Sequence, residues 1–257
     1  MRTWILACAM MIAQPAFACG AGDDPCRVPG GEYTLGAWQG APATQALMFL
    51  HGFRESGRDY QADHAMVASW AEAGVRLVLP EGVQRDWSHV GSPAQARNDL
   101  AFLDAVADDL RQRHGIQTIW AAGFSQGGSM VWDLACYRGE RYAGFITIAG
   151  GFWHPLPARC GPLGRLLHLH GTADEIVPMA GRAIRVVYRQ GDIRDGWRRL
   201  LTAASLDGTP PTVRQRGDHA CERWAQAERR LELCLHPGGH VLPIDWISQA
   251  MRFIAGS

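Results

Sequence analysis

The chain has 257 residues, and its 25 basic and 25 acidic side chains leave a formal net charge of zero. That length suits one α/β or barrel domain of ~250 residues, and 47% hydrophobic with 19% charged residues is a globular composition. Balanced charge argues against a general nucleic-acid or anionic-membrane binder. Every basic residue is Arg, so the sequence excludes a Schiff-base lysine, a P-loop lysine and a kinase strand lysine.

In chain order, residues 1–18 come first as a signal peptide, with 19–257 as a single mature domain. Met1-Arg2 gives a positive start, 4–12 is apolar, and Ala16-Phe17-Ala18 supplies small residues at the cleavage positions. The apolar run is too short for stable membrane insertion, which needs ~20 residues. Export places the chain outside the cell or in the periplasm. Cys19 directly after the cleavage site raises a lipoprotein as the lesser option, since Phe17 stands where a small residue is usual. Removing 1–18 leaves Cys19, Cys26, Cys136, Cys160, Cys221 and Cys234. An even set in an exported chain reads as disulfides. Proximity favours Cys19–Cys26, Cys136–Cys160 and Cys221–Cys234; buried free thiols are the competing reading. No C-x-x-C spacing occurs, which argues against a metal site.

Nearly continuous apolar runs at 46–50, 75–79, 118–122, 144–149, 166–170 and 231–235 read as strands covered on both faces. Helical patterns lie between them at about 60–73, 94–113, 126–138, 180–203 and 243–255. This alternation predicts a mostly parallel α/β sheet with helices on both faces, whose functional residues belong at the carboxyl ends of the strands.

Each candidate catalytic residue falls at such an end. Gly123-Phe124-Ser125-Gln126-Gly127 matches G-x-S-x-G between a strand and a helix, the context this motif requires. A turn that sharp lifts Ser125 out of the sheet and aims the Gln126 N–H at the same point. The hydroxyl needs an imidazole to take its proton, and the acid is expected between the two in chain order. Gly238-Gly239-His240 follows the last strand, so His240 is the candidate base; His170, His219 and above all His236 compete. Asp174, in a turn after the strand at 166–170, is the candidate acid, with Glu175 the nearest substitute; an Asx-turn or N-cap would suit Asp174 equally well. The second oxyanion donor comes from the loop after the strand at 46–50, where His51-Gly52-Phe53 nominates the Phe53 N–H.

The segments LHGF at 50–53, LPEG at 79–82, N-D-L-x-F-L at 98–103, GFSQGG at 123–128, HGTADEIVP at 170–178 and GGH at 238–240 together resemble the secreted α/β-hydrolase esterases grouped as polyhydroxybutyrate depolymerase-like and feruloyl or acetylxylan esterase-like proteins. The similarity spans roughly 31–255. It implies a serine carboxylic-ester hydrolase that needs no cofactor, with Ser125 as nucleophile, Asp174 as acid, His240 as base and the Phe53 and Gln126 amides as oxyanion donors. It leaves the substrate open between polyesters and feruloyl or acetyl plant-polysaccharide esters. The short segment before the acid loop predicts no large lid. Trp87, Trp153 and Phe124, near the same strand ends, are candidates to stack on an acyl group or sugar ring. A serine peptidase or amidase on the same fold, and a non-catalytic binding protein, are the other readings. The second of these predicts loss of a triad residue, which the sequence does not show.

Overall fold

The computed structural model describes residues 19–20 and 24–256; the expected signal peptide lies outside them. Its scaffold is a ten-stranded sheet. The centre of this sheet is built from β3 (Gln45–Leu50), β4 (Val75–Pro80), β5 (Thr118–Phe124), β6 (Gly144–Ile148), β7 (Arg165–Gly171) and β12 (Arg229–His236). These run in the spatial order β4-β3-β5-β6-β7-β12, and every neighbouring pair is parallel. All of these strands were expected, with boundaries shifted by one or two residues. Residue alternation divides them between two cores. Ala46, Met48 and Leu50 pack with α3 (Asp99–Arg113), α4 (Gln126–Tyr137) and α5 (Ile193–Ala203). Leu47 and Phe49 face α2 (His64–Glu72) and α6 (Trp246–Ala255). With helices on both faces, a parallel strand needs an apolar side chain at every position.

The sheet is extended antiparallel at both ends. β1 (Cys26–Val28) and β2 (Gly31–Leu35) flank β4; β10 (Thr212–Arg216) and β11 (His219–Gln226) flank β12. Two expected helices are corrected. The pattern at 60–73 divides into α1 (Gly57–Gln61) and α2, because Asp63 caps α2 by accepting from the Met66 N–H. The pattern at 180–203 is helical only from Ile193. Residues 183–189 instead form a short hairpin of β8 (Ala183–Ile184) and β9 (Tyr188–Arg189). Arg185 in its turn has φ 56, a left-handed conformation that a helix cannot contain, and Asp192 starts α5 by capping Asp195.

Disulfides join Cys19 to Cys26, Cys136 to Cys160 and Cys221 to Cys234. The last pair faces across adjacent strands β11 and β12. No helix among the described residues is long and apolar enough to cross a membrane.

Candidate active site

Ser125 sits between the end of β5 and the start of α4, with φ 56 and ψ −117. A non-glycine residue there is strained, and the surroundings hold it in place. The Ser125 N–H donates to the Ile148 carbonyl at 2.8 Å, and the Ser129 N–H donates to the Ser125 carbonyl at 2.9 Å. The two motif glycines are demanded by close approach. A Cβ on Gly123 would lie 2.5 Å from the Gly127 carbonyl group, and one on Gly127 would lie 2.1 Å from the Leu50 carbonyl oxygen. Helix α4 is thus pressed onto β3 and β5, which aims its first turn at the serine.

Asp174 and His240 follow β7 and β12, neighbouring parallel strands. Asp174 is buried. Its Oδ1 accepts from the backbone N–H groups of Ile176 and Val177, each at 2.8 Å, and its Oδ2 accepts from His240 Nδ1 at 2.8 Å. Burial alone would raise its pKa. The His240 and Val177 hydrogen bonds outweigh that and hold the carboxyl below the ordinary aspartate value. With Nδ1–H engaged, His240 Nε2 is free to accept, and it lies 2.8 Å from Ser125 Oγ. Phe124 packs against the His240 ring at 5.1 Å between centroids. A Cβ on Gly171 would lie 2.3 Å from the Gly238 and Gly239 carbonyl oxygens, so the loops carrying Asp174 and His240 touch backbone to backbone. Among the described residues, none of the competing residues hydrogen-bonds the Ser125 hydroxyl. Glu175 is exposed, His236 Nδ1 accepts from the Gly238 N–H at 3.1 Å, and the His219 ring packs at a tilt against His236.

The loop after β3 is shaped by His51 and Glu55. The buried His51 Nδ1–H donates to the Gly52 carbonyl at 2.8 Å, and its Nε2 accepts from the Gly82 N–H at 3.0 Å, which ties LHGF to LPEG. Glu55 Oε2 accepts from the Gly52 N–H and the Tyr60 hydroxyl. Phe53 lies inside this turn, and its N–H donates to no acceptor among the described residues. Gln126 is the first residue of α4, ahead of the first intrahelical bond. Phe53, Ser125 and Gln126 line one cavity of about 360 Å³.

No protein-family model matches the chain. A protein of Nocardia uniformis subsp. tsuyamanensis named as esterase NocK is 27% identical over 246 residues, 82% of this chain and 70% of that one. An Aspergillus terreus protein named as feruloyl esterase C is 27% identical over 67% of this chain and 68% of its own length. Among solved structures, the acetyl xylan esterase from Aspergillus awamori superposes with a TM-score of 0.63 at 12% identity, covering 89% of this chain and 95% of that one. The chain has the α/β-hydrolase fold and is similar in sequence to esterases.

The cavity of this hydrolase corrects the expected aromatic set. Trp153 lines it, but Trp87 does not. Trp87 is wholly buried, donating Nε1–H to the His51 carbonyl at 2.9 Å and packing on the His51 ring. It therefore supports the loop after β3 from behind. Phe124 backs the His240 ring instead of lining the cavity. Several contributors were not foreseen. Asp86 lines the cavity, and its Oδ1 accepts from the Trp87 N–H at 2.7 Å and from the Gln126 side-chain amide. Asp99 of the N-D-L segment is fully buried and accepts from the Ser88 N–H and from Arg97, fixing the loop that precedes α3. Behind the acid loop, Thr147 Oγ1 lies 2.5 Å from His168 Nδ1, His168 Nε2 lies 3.0 Å from His170 Nδ1, and His170 Nε2 lies 2.8 Å from the Val177 carbonyl oxygen. Both histidines are buried, and burial lowers both pKa values.

Proposed function

We propose that this chain is a secreted serine carboxylic-ester hydrolase acting through Ser125, His240 and Asp174. The pair of 2.8 Å contacts joining Asp174 to His240 and His240 to Ser125 carries the reading. His240 takes the Ser125 proton as Oγ attacks the ester carbonyl, and Asp174 holds the imidazole in the tautomer that leaves Nε2 basic. The backbone amides of Phe53 and Gln126 stabilise the oxyanion that develops. His240 then returns the proton to the departing alcohol, leaving an acyl-enzyme on Ser125. Water activated by the same imidazole releases the acid. The steps run on side chains and backbone amides, with no cofactor.

The relatives named as esterase and feruloyl esterase support ester substrates over amides. On this reading the natural substrates are feruloyl or acetyl plant-polysaccharide esters or polyhydroxybutyrate-type polyesters, bound against Trp153. The signal-like start at 1–18 and the three disulfides support export. A serine-directed fluorophosphonate should label Ser125, and Ser125→Ala should lose on the order of 10⁴–10⁶ in rate. Short-acyl p-nitrophenyl esters should be cleaved and peptide amides spared. Labelling of another serine, or full activity in Ser125→Ala, would overturn the proposal; cleavage of the amides alone would make it a peptidase.

A further inference from the structure

One wall of the cavity is the β8–β9 hairpin, which contributes Arg182, Ile184 and Arg185 to the lining. The hairpin is anchored to the segment after β6: the His154 N–H donates to the Arg189 carbonyl, the Gly191 N–H donates to the Phe152 carbonyl, and Trp153 pairs with Gln190. Gln190 is buried and holds Arg182 twice. Its N–H donates to the Arg182 carbonyl at 2.9 Å, and its Oε1 accepts from Arg182 Nε at 3.1 Å. Gripping Nε from behind leaves the two terminal amino groups of the guanidinium for a ligand.

Arg182 and Arg185 form no ion pair among the described residues. Exposed arginines elsewhere, Arg189 and Arg214 among them, also form none among the described residues, so what marks this pair is its place in the cavity wall. The one carboxylate among the described lining residues is Asp86, whose Oδ1 is already committed to Gln126 and to the Trp87 amide. Between these polar groups the wall is apolar, with Pro93, Trp153, Ile176 and Ile184. A neutral ester would satisfy the apolar wall and leave two cations unmatched. A ligand with an apolar middle and an anionic end matches both.

We propose that the cavity takes esters bearing a second, free carboxylate remote from the scissile bond, with Arg182 and Arg185 as the groups that receive it. This rests on the esterase reading and narrows its substrate class, away from neutral feruloyl and acetyl esters and toward esters with a free acid end. The carboxylate can belong to the acyl part, as in a half-ester of a dicarboxylic acid, or to the alcohol part, as in an acylated hydroxyacid. A planar carboxylate suits the guanidinium fork.

The test compares kcat/KM for each free acid with that for its methyl-capped counterpart. One arm uses p-nitrophenyl hydrogen adipate against p-nitrophenyl methyl adipate, and the other uses 4-acetoxybutanoate against its methyl ester. At least one arm should favour the free acid by roughly tenfold to a hundredfold, the range of a charge-assisted hydrogen bond, and added salt should shrink the ratio. In the Arg182→Gln, Arg185→Gln double variant the ratio should fall to about one or below, since Asp86 remains. Calorimetric binding of monomethyl adipate by Ser125→Ala, which cannot turn it over, should show an affinity that the same two substitutions abolish. A capped-substrate preference in both arms, or a ratio and affinity unchanged in the double variant, overturns the inference. Failure to hydrolyse p-nitrophenyl acetate would instead strike the esterase reading, and the calorimetric arm would still decide the carboxylate site.

Discussion

Asp174→Asn isolates the acid from everything around it. Asparagine has nearly the same shape, and its carbonyl oxygen can keep the position of Oδ1, where the Ile176 and Val177 N–H groups demand an acceptor at 2.8 Å. The amide NH₂ then falls at the Oδ2 position, opposite His240 Nδ1. Two donors cannot face each other at 2.8 Å, so His240 turns its lone pair to Nδ1 and its proton to Nε2. Nε2–H then points at Ser125 Oγ, and the base is lost. A wrong-tautomer imidazole costs about 10⁴ in kcat, or about 5.5 kcal/mol of barrier. Stability should change far less, because only one charge-assisted bond is removed, worth about 1.5–3 kcal/mol. A fall of roughly 3–12 °C in melting temperature would follow for a chain of this size. The assay is p-nitrophenyl acetate hydrolysis beside a thermal melt of the same sample. A variant that keeps its rate within tenfold would refute the tautomer argument. So would one whose activity returned on adding only a stabilising osmolyte.

Three other outcomes follow from the same geometry. Replacing Cys221 and Cys234 by serine should lower stability by about 3 kcal/mol, since the bridge closes a separation of 13 residues; alkylation of either thiol in the unreduced protein would contradict the pairing. Trp153→Ala should raise KM for aromatic esters with little change in melting, whereas Trp87→Phe should destabilise by about 1–3 kcal/mol by orphaning the His51 carbonyl; the reverse pattern would restore Trp87 to the substrate. Burial raises the Asp133 carboxyl to about 7 against a partial pull from the Val90 N–H. Its contribution to stability is therefore present below about pH 4 and lost as pH rises through 7, up to about 4 kcal/mol. His89, pulled down to about 4 by burial, opposes it, contributing stability that is present above about pH 6.5 and lost as pH falls through 4. Asp133→Asn should thus gain stability over wild type as pH rises from 4 to 7, and a constant difference across that range would reject the assignment.

What could be read in advance divides along physical lines. The central strands were legible because burial on both faces forces continuous apolar runs such as Leu47-Met48-Phe49-Leu50. The serine turn was legible because its glycines are backbone requirements, and the His and Asp loops because they follow those strands. The antiparallel ends were not. β10 is Thr-Val-Arg-Gln-Arg, four of its five residues exposed, and its only apolar side chain faces solvent. The hairpin at 183–189 has too few residues for either period to emerge. Trp87 was misjudged because the fate of a loop tryptophan depends on a partner 36 residues away, the His51 carbonyl. His168 carried no signal of its own. It becomes meaningful only through the β6–β7 register, which sets Thr147 opposite it.

That last register has a consequence for where protons can reside. The Val177 carbonyl can only accept, so His170 must carry its hydrogen on Nε2 and offer a lone pair at Nδ1. His168 must in turn carry its own on Nε2, and the Thr147 hydroxyl must point toward His168 Nδ1. Both rings are kept neutral, and the row has one sense, running from the strand beside the serine turn to the loop that holds the acid. His170 Nε2 also stands 3.7 Å from Asp174 Oδ2. The carboxylate therefore has a fixed dipole at its back, its positive end forward, and that dipole is oriented by a hydroxyl on the adjacent strand β6, two hydrogen bonds from His170. The charge that steadies His240 is thereby biased by the interior of the sheet as well as by its own loop.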